Sequence, residues 1–114
     1  MSPYTIPNFK QDEIREYIED RIKELKEYSI EEYEQLVKDN ELHNELFNTD
    51  YYIIGTYEAK QWLGSYTFDV IDCIKEYEQD NFGEVTTDLS EPEKVVNMYA
   101  YILGEEILYE VLEN

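Results

Sequence analysis

Histidine and cysteine are almost missing from this sequence, and their scarcity excludes several kinds of site. The chain of 114 residues has one histidine, His43, and one cysteine, Cys73. One of each cannot supply a zinc-ligand set, and a single cysteine cannot form an intrachain disulfide. We therefore expect His43 to be a surface or half-buried residue, Cys73 to be a buried thiol, and the protein to reside in a reducing cytoplasm.

Basic residues and long apolar runs are also scarce. Only four bases fall in residues 27–114, namely Lys38, Lys60, Lys75 and Lys94. Because contact with phosphates needs many such side chains, we expect no direct binding of nucleic acid. No run approaches the ~18 apolar residues of a membrane span, and the start, MSPYTIPNFKQDE, lacks the features of a signal peptide. The expectation is a soluble cytoplasmic protein without a membrane partner.

Acidic residues, by contrast, are in large excess. The chain has 28 Asp and Glu against 9 Lys and Arg, for a formal net charge of -19. A small domain usually carries a net charge of roughly 2 to 8 in magnitude, and a larger charge destabilises the fold by self-repulsion. Either a high-salt environment or a basic partner explains such a charge. The abundance of Tyr and the presence of Lys favour the partner.

Apolar residues at steps of three and four predict helices along most of the chain. The length and the 42% of hydrophobic residues suit one compact domain, residues 1–114. Residues 1–10 contain Pro3 and Pro7 and are predicted to be an extended arm, held to the body by Tyr4, Ile6 and Phe9. Residues 11–27 are predicted to be the first helix.

Four further helices complete the predicted fold, an all-α bundle of about five helices. Ser29, with Glu32 three residues later, is a capping box for the second helix, which Asp39 and Asn40 interrupt before it resumes to residue 47. Residues 48–50 are predicted to turn, and 51–63 to form the third helix, although 51–54 alone suit a strand. The fourth, 68–80, follows a cap at Thr67 and stops at Gly83.

The fifth helix, opened by a capping box at Ser90, extends to about residue 112 and has an unusually wide apolar face. Such a helix either lies at the centre of the core or lends part of its face to a homodimer. Gly104 sits in its middle, where glycine costs about 1 kcal/mol relative to alanine. We expect a close helix crossing at Gly104.

Enzyme motifs are weak in this sequence, so no catalytic residue and no cofactor is predicted. Glu31 with Glu34, and Asp69 with Asp72, have the spacing by which all-α nucleotide pyrophosphatases hold Mg²⁺, but such spacings arise by chance among 28 acids. The segment from Glu78 departs from a calcium loop at Phe82 and Leu89.

Three sets of acids are predicted to lie on outer helix faces. Carboxylates one turn apart are about 5–6 Å from each other, near the spacing of phosphates along a nucleic-acid strand. The Glu31 group is Glu31, Glu34, Asp39, Glu41 and Glu45; the Asp69 stripe is Asp69, Asp72, Glu76 and Asp80; the Glu105 group is Glu105, Glu106, Glu110 and Glu113. A partner with a basic groove for nucleic acid would bind such surfaces.

Residues from about 50 to 109, including DYYIIGTYEAKQWL and IKEYEQDNFGEVTTDLSEPEKVVNMYAYILGEEIL, resemble a family of small phage-encoded proteins. No activity follows from that resemblance. In size, charge and helicity alone, the chain also resembles the acidic DNA-mimic inhibitors that phages use against restriction and CRISPR systems. The leading hypothesis is a phage anti-defence protein in the host cytoplasm. The alternatives are a helical adaptor or oligomerisation protein and a Mg²⁺-dependent pyrophosphatase.

Overall fold

The computed structural model describes residues 4–47 and 55–113, which fold into helices and connecting turns without a strand. The helices are α1 (Gln11–Tyr28), α2 (Ile30–Lys38), α3 (Leu42–Phe47), α4 (Thr56–Leu63), α5 (Thr67–Phe82) and α6 (Pro92–Glu113), and a 3-10 helix, Gly64–Tyr66, joins α4 to α5. The predicted all-α bundle of about five helices is confirmed. The second predicted helix is divided into α2 and α3, which gives six.

The division between α2 and α3 lies where the sequence predicts a break. Asp39 ends α2, and Asn40 has a left-handed backbone with φ of 60°, a conformation that asparagine adopts more readily than most residues. At the other end of α2, the Ser29 hydroxyl accepts a hydrogen bond from the Glu32 N–H at 3.2 Å. The capping residue predicted at Ser29 is therefore confirmed.

Helix α6 is the centre of the bundle and packs against α1, α3, α4 and α5. Its buried residues are Val95, Val96, Tyr99, Ala100, Ile102, Leu103, Gly104, Ile107 and Leu108. Most of the wide apolar face is thus covered by the protein's own helices, whereas Leu112 near its end is 41% exposed. The buried part of the face belongs to the core, the first of the two roles that the sequence left open.

Gly104 lies against an aromatic ring from α3. A Cβ atom built on Gly104 would overlap the ring of Phe47, the last residue of α3. Without a side chain, the glycine lets this ring lie against the α6 backbone. The close packing at Gly104 is thus made by a side chain, whereas the sequence predicted a crossing of two helices, and the contact offsets the low helix propensity of glycine.

The N-terminal arm is held to the body as predicted, but it is not extended. Asn8 and Lys10 have left-handed backbones, with φ of 64° and 68°, and the Phe9 N–H donates to the Ile6 carbonyl at 3.2 Å. These turns place the Phe9 ring 5.8 Å from the rings of Trp62 and Tyr99.

Two predicted helix caps are wrong, and one predicted stop is right. Thr67 is the first residue of α5, and its hydroxyl donates to the Gly64 carbonyl because the 3-10 helix precedes it directly. The Ser90 hydroxyl donates to the Asp88 carboxylate at 2.6 Å. It therefore does not cap α6, which begins at Pro92. Gly83 ends α5 with the left-handed φ of 80° that the sequence predicts.

The predicted turn at 48–50 and the ambiguous segment 51–54 lie outside the described residues.

Candidate acidic binding surface

The Asp69 stripe is a row of exposed carboxylates along one face of α5. All four of its residues are exposed, whereas Val70, Ile74 and Glu78 on the opposite face are buried. From Asp69 to Asp80 the helix rises about 16 Å. One strand of a DNA duplex carries about five phosphates over this distance, so the linear charge density of the stripe is close to that of a single strand.

None of these four carboxylates forms an ion pair with a lysine or arginine of the described residues. The ion pairs in that part of the chain join Lys10 to Glu13, Arg15 to Glu110, Arg21 to Glu24 and Lys94 to Glu91. Lys75, exposed on the same helix between Asp72 and Glu76, is the base nearest to the stripe in the sequence, and Lys75 forms no ion pair with these four carboxylates. The four carboxylates therefore remain available to a basic ligand.

Aromatic rings border the Asp69 stripe at its C-terminal end. The Tyr4 hydroxyl donates to Asp80 at 2.7 Å, and the rings of Tyr4 and Tyr77 meet edge to face at 5.3 Å. The hydrogen bond to Asp80, with smaller contributions from desolvation and nearby carboxylates, raises the pKa of Tyr4. The ring of Phe82 lies 6.0 Å from Tyr77. Such rings supply contact area that charge alone lacks.

Of the Glu105 group, Glu105 joins this surface, while Glu113 is exposed at the end of α6. The Tyr77 hydroxyl donates to Glu105 at 3.3 Å, and burial together with the charge of Glu105 raises the pKa of Tyr77 to about 12. Glu106 is half-buried and accepts a hydrogen bond from Thr5, and Glu110 pairs with Arg15 on α1. The predicted group is therefore divided between two sides of α6.

The Glu31 group is exposed throughout but forms a separate surface. Helix α2 packs against α1 and α3, whereas α5 packs against α4 and α6. Gln35 donates to Asp39 at 2.9 Å, and Asn44 donates to Glu41 at 3.2 Å. The Tyr101 hydroxyl donates to Asn44 at 3.5 Å, so this group also has an aromatic neighbour.

Glu78, which the sequence suggested only as the start of a possible calcium loop, is a buried carboxylate. Its side chain is 1% exposed and accepts hydrogen bonds from the backbone N–H and the hydroxyl of both Thr86 and Thr87, at 2.9–3.2 Å. Burial raises the pKa of Glu78, but these hydrogen bonds outweigh burial and lower it overall. Glu78 thereby holds the loop that leads to α6.

The surroundings of His43 and of Cys73 suit a structural role for each side chain. The Nε2 atom of His43 lies 2.8 Å from the Tyr101 carbonyl, which fixes the proton on that nitrogen. Burial lowers the pKa of His43. Cys73 is half-buried, less than predicted, and burial, aided by the charges of Glu76, Asp69 and Asp72, raises the pKa of its thiol. A raised pKa makes a thiol less nucleophilic.

The acid pairs that suggest a Mg²⁺ site are on helices with different packing partners. Glu31 and Glu34 lie on α2, and Asp69 and Asp72 lie on α5. Among the described residues, no group of three or more His, Cys, Asp or Glu side chains is arranged to hold a metal ion. No helix in the described ranges has the length and apolarity needed to cross a bilayer.

Comparison of the chain with protein-family models, with curated proteins and with solved structures found no match.

Proposed function

We propose that this protein is a non-enzymatic inhibitor of phage origin that binds a nucleic-acid-handling bacterial protein, such as a CRISPR or restriction effector. The Asp69 stripe occupies the groove in which that protein holds a nucleic-acid strand. The observation that carries the proposal is the row of four exposed carboxylates on α5, which pair with no base of the described fold.

A rigid helix suits this role better than a flexible acidic tail. The buried face of α5 packs against α4 and α6, so the carboxylates keep their spacing without a partner. A preorganised surface avoids much of the conformational entropy that a disordered segment loses on binding. Opposite charge also accelerates association and makes it sensitive to salt.

The test neutralises the stripe without changing its shape. In one variant Asp69→Asn, Asp72→Asn, Glu76→Gln and Asp80→Asn are combined; in the control, Glu31→Gln, Glu34→Gln, Asp39→Asn and Glu45→Gln remove the same charge from the other surface. Tagged wild-type protein captures its target from bacterial lysate, and salt and competing duplex DNA elute it. The affinity of each variant for that purified target is then measured.

We expect the stripe variant to bind about 100-fold more weakly, at roughly 0.7 kcal/mol for each carboxylate. The control should retain affinity within about threefold, the change expected from long-range charge alone. Equal losses in both variants would show that net charge, not this surface, determines binding. A target that DNA does not displace would contradict the occlusion of a nucleic-acid groove.

A second candidate is a helical adaptor that binds through apolar contacts. The observation favouring it is an exposed apolar corner at the junction of α1 and α2, where Tyr28 is 80% and Ile30 is 48% exposed. Because α6 uses most of its apolar face inside the bundle, this corner is an exposed apolar surface available for self-association.

We expect light scattering after size-exclusion chromatography to give the mass of one chain. The high net charge opposes self-association at low salt. A stable dimer that Ile30→Lys dissociates would instead favour the adaptor. Tyr57→Lys is the control, since it makes the same change in charge at an apolar side chain of α4 that is 72% exposed.

A further inference from the structure

An open groove lies beside the Asp69 stripe, on the neighbouring face of α5. Its volume is about 440 Å³, within the range of sites that hold small molecules or single side chains. Its apolar walls come from the end of α4, from α5, from the loop before α6 and from α6 itself, through Leu63, Phe68, Ile71, Leu89, Pro92 and Val95.

Phe68 is the most unusual residue of the groove. Its side chain is 80% exposed, although a phenylalanine ring gains about 1.5–3 kcal/mol when it is buried. Ile71, three residues later on the same helix face, is only half-buried. These two side chains leave apolar surface on one wall that a ligand would cover.

The charges around the groove indicate the chemistry of that ligand. Asp72 lies one helical turn beyond Phe68, and Asp69 lies one turn before Asp72, so two carboxylates of the stripe border the Phe68 side of the apolar wall. Lys60 lines the opposite side; of the effects that lower the pKa of Glu93 there, the Thr56 hydrogen bond is the largest and the charge of Lys60 is the smallest. Lys75, one turn beyond Ile71, is the base on the α5 wall, and the carboxylates of the stripe outnumber it, so the border with the stripe is negative.

The loop that forms one wall is fixed in place. Glu78 holds Thr86 and Thr87 through hydrogen bonds of 2.9–3.2 Å, and the Asp88 carboxylate accepts hydrogen bonds from Ser90. Leu89 lies between these two anchors. The groove is thus preformed, which lowers the entropy lost when a ligand enters.

We infer that the groove receives one bulky apolar side chain from a basic segment of the partner, with arginine or lysine on either side of that apolar residue. The flanking bases bind Asp69 and Asp72 while the apolar side chain packs against Phe68 and Ile71. This inference rests on the proposed function, since it takes the partner to be basic. It adds an apolar contact to the ionic contacts of the proposed function. A nucleic-acid strand has no amino-acid side chain with which to make that contact.

The test uses two synthetic peptides of equal charge. Each peptide has four arginines, two before and two after its central residue. The central residue is tryptophan in one peptide and alanine in the other. Both are titrated into ¹⁵N-labelled wild-type protein, into Phe68→Ala and into the control Tyr28→Ala, whose replaced ring is also 80% exposed. Circular dichroism checks that each variant keeps its helices.

The ratio of the two affinities reports on the groove. We expect wild-type protein and Tyr28→Ala to bind the tryptophan peptide on the order of tenfold more tightly than the alanine peptide. The largest amide shifts should occur at Phe68, Leu89 and Val95. Phe68→Ala should reduce the ratio to about one while the alanine peptide binds as before.

The two proposals fail in different ways. A ratio near one in wild-type protein, or shifts spread over all acidic faces, would overturn the groove proposal and leave the acidic surface untouched. If neutralising the Asp69 stripe changed neither affinity, the basic character of the segment would be refuted together with the proposed function. Self-association that Phe68→Ala abolishes would show a second copy of the chain as the occupant, which also overturns the proposal.

Discussion

Tyr99→Ala is expected to destabilise the protein by about 4 kcal/mol, because it removes the largest fully buried side chain in residues 4–47 and 55–113. Loss of a buried aromatic ring typically costs 3–5 kcal/mol, and the exposed fraction of Tyr99 is 0%. Its ring lies 5.8 Å from that of Phe9 and 6.2 Å from that of Trp62. The cavity would therefore open where the arm, α4 and α6 meet.

The hydroxyl of Tyr99 adds a second contribution, which Tyr99→Phe isolates. It accepts the Ile6 N–H at 3.1 Å and donates to the Phe9 carbonyl at 3.4 Å. Tyr99→Phe leaves the ring in place but removes both bonds, at a cost of about 1–2 kcal/mol. Amide exchange of Ile6 should accelerate in this variant, since its N–H loses its acceptor.

Alkaline pH gives a further readout of the same hydroxyl. Burial raises the pKa of Tyr99 to about 12, above its ordinary value of 10.0. A raised pKa means that the neutral form is favoured in the folded state. The resulting stability is complete below pH 10 and is lost as the pH rises towards 12. Tyr99→Phe should lack this part of the alkaline decline.

Chemical denaturation of matched variants measures these effects. Tyr109→Ala makes the same chemical change on the same helix, but that side chain is 67% exposed and should change the free energy of unfolding by less than about 0.5 kcal/mol. A cost below about 1 kcal/mol for Tyr99→Ala would contradict its place in the core.

The sequence predicts most helices because their signals are local. The apolar steps of α1, the cap at Ser29 and the stop at Gly83 each depend on a few neighbouring residues. Threonine is a common capping residue, but the 3-10 helix before Thr67 continues directly into α5, so Thr67 is not a cap. The residues around Thr67 do not predict that continuation.

The candidate surface is predictable to a similar extent. Spacing within α5 is enough to place the Asp69 stripe on one exposed face. The grouping of the last carboxylates is not predictable in this way, because Glu105 lies towards Tyr77 of α5 while Glu110 lies towards Arg15 of α1. Helix packing, which connects residues far apart in the chain, divides them.

Glu78 shows the same limit at a single residue. It is one of 28 acids, and its neighbours Glu76 and Asp80 are exposed. Its position on the buried face of α5 follows from the helical period, but a periodic pattern does not supply the four donors that a buried carboxylate needs. Those donors come from Thr86 and Thr87, in a loop whose path the local sequence does not specify.

Glu78→Gln is expected to destabilise the protein by about 2–3 kcal/mol, because an amide replaces a buried carboxylate that accepts four hydrogen bonds. Hydrogen bonds to charged groups contribute about 1.5–3 kcal/mol, and buried donors left without an acceptor add to the loss. The amide also places its own NH₂ group against N–H and O–H donors. Glu84→Gln, at an exposed position in the same loop, should be nearly neutral.

Acid should remove the same stabilisation from the wild-type protein. The folded-state pKa of Glu78 is below its ordinary value of 4.5, so its contribution is complete above pH 4.5 and is lost as the pH falls through the folded value. Stability measured against pH should therefore decline less steeply in acid for Glu78→Gln than for the wild-type protein. Parallel acid curves for the two proteins would show that the carboxylate is not the group that holds the loop.

The location of the damage separates a local effect from a global one. Amide exchange at Thr86 and Thr87 should accelerate in Glu78→Gln more than exchange in the middle of α6. The loop also carries Leu89 into the wall of the groove, so the preference for the tryptophan peptide should fall while the alanine peptide still binds the Asp69 stripe. A variant that loses loop protection and keeps the full tryptophan preference would separate the groove from the Glu78 anchor.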